Sequence, residues 1–228
     1  LDHVIIPKFS ESFSNMFYHA TAFQDRFFGL IGYNSSNATP NSKIFNIDLS
    51  GNNITNDNIK FLVDLYILKP NDAVFTTAAN SPYYGNISAW DVSGVTDMSE
   101  LFKNRTTFNS NIGNWDVSNV TTMANMFQGA SIFNQNIGNW NVSNVENMSY
   151  MFNNARAFDE NIGTWDVSKV ESMSYMFSEA ITFNQDIGDW NVRQVQLMNG
   201  MFYFGSGDNS NFNQLLIMKI VTKADNTK

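Results

Sequence analysis

Few side chains in this chain combine the type and spacing that catalysis needs. The two histidines, His3 and His19, both fall in the first 20 residues, which gives a Ser-His-Asp arrangement little support. Gly205-Ser206-Gly207 is glycine-rich, but no Lys-Ser/Thr followed by a helix comes after it, so it lacks the parts of a phosphate cradle. The carboxylate pairs Asp159/Glu160 and Asp186/Asp189 fall in turn regions and read as solvated turn residues. There is no cysteine, which removes disulfides, thiolate metal sites and thiol nucleophiles together. An acid or its amide recurs at Asp91, Asp116, Asn141, Asp166 and Asn191. A calcium ladder would need several oxygens close in sequence, and neutral Asn at two of the five positions lowers the charge. Turn chemistry, in which the side chain bonds nearby backbone, is the simpler reading. The expectation is a non-enzyme with no catalytic residue, no cofactor and no metal.

The elements that carry these residues are repeats. All five tryptophans, Trp90, Trp115, Trp140, Trp165 and Trp190, lie 25 residues apart, and self-similarity at such a period marks a solenoid. Each unit reads N-I-G-x-W-D/N-V-S-x-V-x-x-M-x-x-M-F-x-x-A-x-x-F-N. In the copy from Trp140 the apolar set is Trp140, Val142, Val145, Met148, Met151, Phe152, Ala155, Phe158 and Ile162. One copy cannot cover both of its open faces, so copies must stack, each touching its neighbours. The expected fold is a repeat solenoid of right-handed parallel β coils, leucine-rich-repeat-like, with Trp over Trp and Phe over Phe. At about 4.8 Å per coil the five coils make a rod of roughly 20–25 Å. Gly113, Gly138, Gly163 and Gly188 mark a tight corner before each Trp.

The remainder of the chain departs from this unit. Phe13 to Phe23 matches the second half of a repeat, which places a partial repeat at about 9–28. Tyr33 to Ser42 is a polar loop. Ile47, Leu49, Asn52 and Ile54 fit L-x-L-x-x-N-x-L, the core of a leucine-rich repeat. Ile59, Leu62, Val63 and Tyr66 then recur at helical spacing, with Asn56 or Asp57 as helix cap and Pro70 as stop. This predicts one strand-helix coil near residues 44–70. The organisation is an N-terminal part over 1–86, five repeats over 87–214 with the last irregular, and a terminal strand or cap over 215–228. The chain begins at Leu1, with no initiator Met and no signal-peptide pattern, and is expected to be a piece of a longer protein or a processed form.

The string WDVSNVTTMANMFQGASIFNQNIGN, Trp115 to Asn139, resembles the 25-residue repeats of BspA-like leucine-rich-repeat surface proteins, found in mycoplasma lipoproteins, Gram-positive cell-wall proteins, protists and large DNA viruses. The resemblance covers about 125 residues from Asn86 onward, plus the fragment near Phe13. It implies a leucine-rich-repeat-like solenoid, often displayed outside the cell, with adhesion or recognition roles and no shared catalytic residues. Two features depart from the pattern. One is the coil over Ile44–Pro70. The other is Arg105, which replaces the small residue held by Ala130, Ala155 and Ala180.

Net charge is −8, and from Trp90 to Arg193 five Lys/Arg face twelve Asp/Glu. Such a surface repels phosphate, so neither nucleic acid nor an anionic membrane is an expected partner. No apolar run approaches the roughly 18 residues that would insert into a bilayer. Function must then lie in columns that vary between copies. One holds Glu100, Asn125, Tyr150 and Tyr175, a second Glu146 and Glu171, a third Lys103, Gln128, Asn153 and Ser178. Tyr150 and Tyr175, with Ser149, Ser174, Glu146, Glu171 and Asn153 beside them, are the candidate ligand-binding residues. Exposed Tyr with acids favours a protein or carbohydrate partner. Asn34 and Asn37, in the polar loop, are the candidate glycosylation sites. The expected role is recognition or adhesion, extracellular or at the cell surface. The alternative is a structural component of a virion, surface layer or filament, held by neighbouring chains through its ends.

Overall fold

The computed structural model describes residues 54–68 and 86–205, all within one compact body, Leu49–Lys228. The partial repeat near Phe13, both histidines, Asn34, Asn37, Ile47, Leu49, Asn52, Pro70 and the segment 215–228 lie outside the described residues.

The 25-residue units are joined by backbone hydrogen bonds at a constant offset. Isolated parallel bridges link Asp97, Thr122, Asn147, Ser172 and Leu197 in turn. Beside each bridge, alternate N–H groups donate to the following unit. Those of Met123, Asn125, Phe127 and Gly129 donate to the carbonyls of Asn147, Ser149, Met151 and Asn153 at 2.9, 2.8, 2.9 and 2.8 Å. Met148, Tyr150, Phe152 and Asn154 repeat the pattern onto Ser172, Ser174, Met176 and Ser178. One or two bonds per interface return, as from Glu146 N–H to the Thr121 carbonyl at 2.8 Å.

The described residues contain no extended strand. Turn bonds from Met126 to Met123, Gln128 to Asn125 and Ala130 to Phe127 interleave with the donors. Asn125 and Gly129 sit at φ 59° and 70°. Left-handed residues two turns apart aim successive N–H groups the same way. A parallel β-strand would instead send alternate residues to opposite neighbours.

Inside, the aromatic side chains form columns. Phe102, Phe127, Phe152, Phe177 and Phe202 stack at 5.3, 5.6, 5.6 and 5.6 Å between centroids. Phe108, Phe133, Phe158 and Phe183 stack at 5.9, 6.1 and 6.0 Å. Trp90 lies over Trp115 at 6.2 Å and Trp165 over Trp190 at 6.5 Å. All of these rings except Phe202 are buried. A buried indole N–H needs an acceptor, and in the four units from Trp115 onward it finds the carbonyl of the isoleucine 28 residues earlier. Trp115 donates to Ile87 at 2.8 Å, Trp140 to Ile112 at 3.2 Å, Trp165 to Ile137 at 3.2 Å and Trp190 to Ile162 at 3.1 Å. A phenylalanine would fill this column but leave that carbonyl without its donor.

The first repeat rests on a different element. Helix α1, Ile59–Leu68, buries Ile59, Leu62 and Val63. The cap is neither Asn56 nor Asp57, as the sequence suggested. The Thr55 carbonyl receives Ile59 N–H at 3.0 Å, while Asn58 Oδ1 receives Thr55 N–H at 2.9 Å, the reciprocal bond of a capping box. Asn56 turns outward to the stack. Its Oδ1 accepts the N–H groups of Thr96 and Asp97 at 2.9 and 3.0 Å, and its Nδ2 donates to Thr96 Oγ1 at 2.8 Å. It thus supplies the acceptor that a preceding repeat carbonyl provides elsewhere. Tyr66 meets the edge of Trp90 at 6.0 Å. Arg105 pairs with Asp64 of α1. Where later copies bury Ala130, Ala155 and Ala180 under a preceding repeat, the first copy meets a helix and needs a longer, charged side chain.

The glycines before each Trp have a use beyond the corner. A Cβ on Gly113, Gly138 or Gly163 would collide with the backbone carbonyl of Asn136, Asn161 or Asp186 in the following unit, whereas on Gly188 it meets only Asp186 Oδ1, at 3.2 Å. Gly138→Ala is therefore expected to destabilise by about 2–3 kcal/mol and Gly188→Ala by far less, read as thermal unfolding midpoints of the two variants side by side.

Candidate functional site

The variable columns divide into side chains that bond along the stack and side chains that do not. Tyr150 and Tyr175 have φ 59° and 57°, so each occupies one of the left-handed positions of the ladder. Their rings stack at 4.9 Å and 12°, and Tyr175 also lies against Gly200, where a Cβ would reach its Cδ1 at 2.7 Å. The facing sides of the two rings are covered by each other. What the half-buried pair turns to solvent is ring edges and phenol oxygens, which make no hydrogen bond to a described residue. The sequence suggested exposed tyrosines one coil apart; the two rings stand in consecutive units and are half-buried.

Glu146 and Glu171 are exposed, and their carboxylates bond no described residue. Their backbones are tied to each other, Glu171 N–H donating to the Glu146 carbonyl at 2.8 Å, so the acids stand one above the other. Ser149 and Asn153 are engaged instead. Ser149 Oγ lies 2.6 Å from Ser172 Oγ. Gln128 Nε2 donates to Asn153 Oδ1, and Asn153 Nδ2 to the Ser178 carbonyl, both at 3.1 Å. The third column is an amide ladder, with Ser178 buried at its end. Ser174 is half-buried and gives its carbonyl to Tyr150.

Sequence reading missed a second such ladder. Asn109, Asn134 and Asp159 each accept, through Oδ1, the N–H of the residue 25 later, at 2.9, 2.9 and 2.8 Å. Gln185 Nε2 also donates to Asp159 Oδ1 at 2.9 Å. The signal was a column of Asn or Asp at the repeat period. This engages one member of the Asp159/Glu160 pair, and Asp186 Oδ1 accepts Gly188 N–H at 2.9 Å.

The Asp/Asn column after each Trp closes turns. Oδ1 of Asp91, Asp116, Asn141 and Asp166 accepts the N–H two residues on at 3.0, 3.0, 3.2 and 3.0 Å. Hydrogen bonds from Ser93, Ser118 and Ser168 hold the carboxyls of Asp91, Asp116 and Asp166 below the ordinary 3.8. Asp64 goes the other way. Desolvation by burial raises it, and Arg105 offsets only part. Among the described residues no group of three or more His, Asp or Glu is placed to hold a metal ion, and no helix is long and apolar enough to cross a membrane.

The family described as "Mycoplasma protein of unknown function, DUF285" matches residues 72–164 and 140–227. The two matches take in more than half of the chain, which belongs to this family. No curated protein and no solved structure matches it.

Asn153→Ala should cost about 1–2 kcal/mol, because it breaks two half-buried bonds along the stack. Glu146→Ala should change stability by less than about 0.5 kcal/mol; denaturant midpoints distinguish them. The turn aspartates also set an acid limb. A lowered folded value contributes stability that is present above 3.8 and lost as pH falls through the folded values. Asp64, raised, has the opposite sign: its share is present below 3.8 and lost as pH rises through its folded value. Changing Asp91, Asp116 and Asp166 to Asn, which Asn141 and Asn191 already hold, should flatten the loss of thermal stability on acidification below about pH 4.

Proposed function

We propose that this member of the Mycoplasma family is a non-enzymatic repeat protein whose stacked units form a leucine-rich-repeat-like, right-handed coil of the BspA type. It is displayed outside the cell and recognises a protein partner. The supporting observation is the division of the variable columns. Gln128, Asn153, Asn109, Asn134 and Asp159 bond the neighbouring unit through their side chains, while the carboxylates of Glu146 and Glu171 and the phenols of Tyr150 and Tyr175 bond no described residue.

This set suits a particular chemistry. Sugars commonly pack on an open aromatic face, and here the two rings cover each other. Ring edges, phenol hydroxyls and stacked carboxylates fit a protein surface bearing Lys or Arg, with carbohydrate as the second ligand class. Ser149 and Asn153 act behind this surface by holding register. The net charge of −8 argues against nucleic acid and anionic lipid as partners.

The second reading is an assembly component, of a virion or a surface layer, that packs through its ends. Leu197 and Tyr203, 53% and 57% exposed on the last described unit, favour it.

One pair of measurements separates the two. Light scattering over a hundredfold concentration range should give a constant monomer mass. Protein and glycan arrays probed with the chain should then show a ligand lost on changing Glu146 and Glu171 to Lys. A defined oligomer, or a polymer that grows with concentration, would make assembly the primary role.

A further inference from the structure

The tyrosine pair also brings two phenols together. Tyr150 and Tyr175 hold equivalent positions in consecutive units, and their rings face each other at 4.9 Å, 12° from parallel. Their backbones are pinned in register, Tyr150 N–H on the Ser174 carbonyl and Tyr175 N–H on the Asn199 carbonyl, both at 2.8 Å. Both side chains are half-buried, which confines the rings while oxygen and ring edge remain reachable. At the next equivalent position Gly200 leaves the space that Tyr175 occupies, since any Cβ there would strike its ring. Two phenols are thus held side by side across a unit boundary in a chain without cysteine.

We propose that Tyr150 and Tyr175 form a site of oxidative modification, at which a one-electron oxidant joins them into a dityrosine link between neighbouring units. Each phenol gives one electron to the oxidant and its hydroxyl proton to solvent. The resulting phenoxyl radicals carry spin density on the ring carbons beside the oxygen. A carbon–carbon bond forms between one such Cε of each ring. The hydrogen on each coupled carbon then moves to the oxygen as the ring tautomerises, restoring both phenols. Two electrons and two protons leave in all. A peroxide, consumed by a haem peroxidase, accepts them as it is reduced to water. Holding the two rings together replaces a bimolecular encounter by an intramolecular one. The product would act as a disulfide does, by restricting the unfolded chain.

The test is to treat the dilute native chain with a haem peroxidase and hydrogen peroxide, then digest it with trypsin. Arg156 and Lys169 lie between the two tyrosines, so the link joins two separate peptides, 106–156 and 170–193. The expected result is a monomer lighter by two hydrogen atoms, with dityrosine fluorescence and that joined pair in the mass spectrum. Tyr150→Phe keeps the ring and removes the phenol, and should lose the joined pair while its unfolding midpoint stays near that of the parent. The proposal is overturned if the chain unfolded in urea forms the link as fast as the native chain. It is equally overturned if coupling goes first to Tyr203 or between molecules, or if the joined pair persists in Tyr150→Phe.

Discussion

Each repeat passes most of its ladder N–H groups to the unit that follows and receives them on carbonyls facing the unit before. Four donors in one stretch must meet four acceptors 24 residues on, so the length of the unit cannot drift. The same constraint sets the backbone. Donors aimed one way require left-handed residues at regular places, seen at Asn125, Gly129, Tyr150, Asn154, Tyr175 and Glu179. Each non-glycine among them costs roughly 1–2 kcal/mol, offset by bonds that only a neighbouring unit supplies. It also sets the contact distance. At Gly113, Gly138 and Gly163 the next unit's carbonyl occupies the space of a Cβ.

A ladder that runs one way has two chemically different ends. The first repeat cannot meet a copy of itself, and α1 with its preceding turn takes that place. Asn56 offers a side-chain oxygen where a carbonyl would stand, and Asp64 meets Arg105. The departure of the first copy from the pattern is therefore a fit to a different neighbour. Burial pushes Asp64 towards its neutral form while Arg105 draws it back, so the junction holds its charge pair against a desolvation cost.

Variation among copies does not by itself mark a free surface. Gln128, Asn153 and Ser178 differ in type, yet they form a chain of bonds because each pair needs only one donor and one acceptor. Packing tolerates such exchange when hydrogen-bonding capacity is kept. Glu146 and Glu171 vary without that condition. The side chains that make no bond along the stack are thus fewer than the variable columns, and the tyrosines leave edges and hydroxyls to solvent.

The sequence by itself determined the period, the aromatic and aliphatic core, the turn role of the Asp/Asn column and the position of α1. Each follows from local chemistry repeated at a regular spacing: Trp90 to Trp190 at 25 residues, Asx residues two before a turn N–H, apolar residues at helical spacing over Ile59 to Tyr66. Tertiary structure decided the rest. The replacement of a strand by linked turns depends on φ at positions such as Tyr150 and Tyr175, where residue type predicts no left-handed backbone. The stacking of those rings, the release of Asn56 from helix capping, the partner of Arg105 and the engagement of Asn153 each depend on a residue at least 25 positions away. Their geometry exists only once neighbouring units have been brought into register.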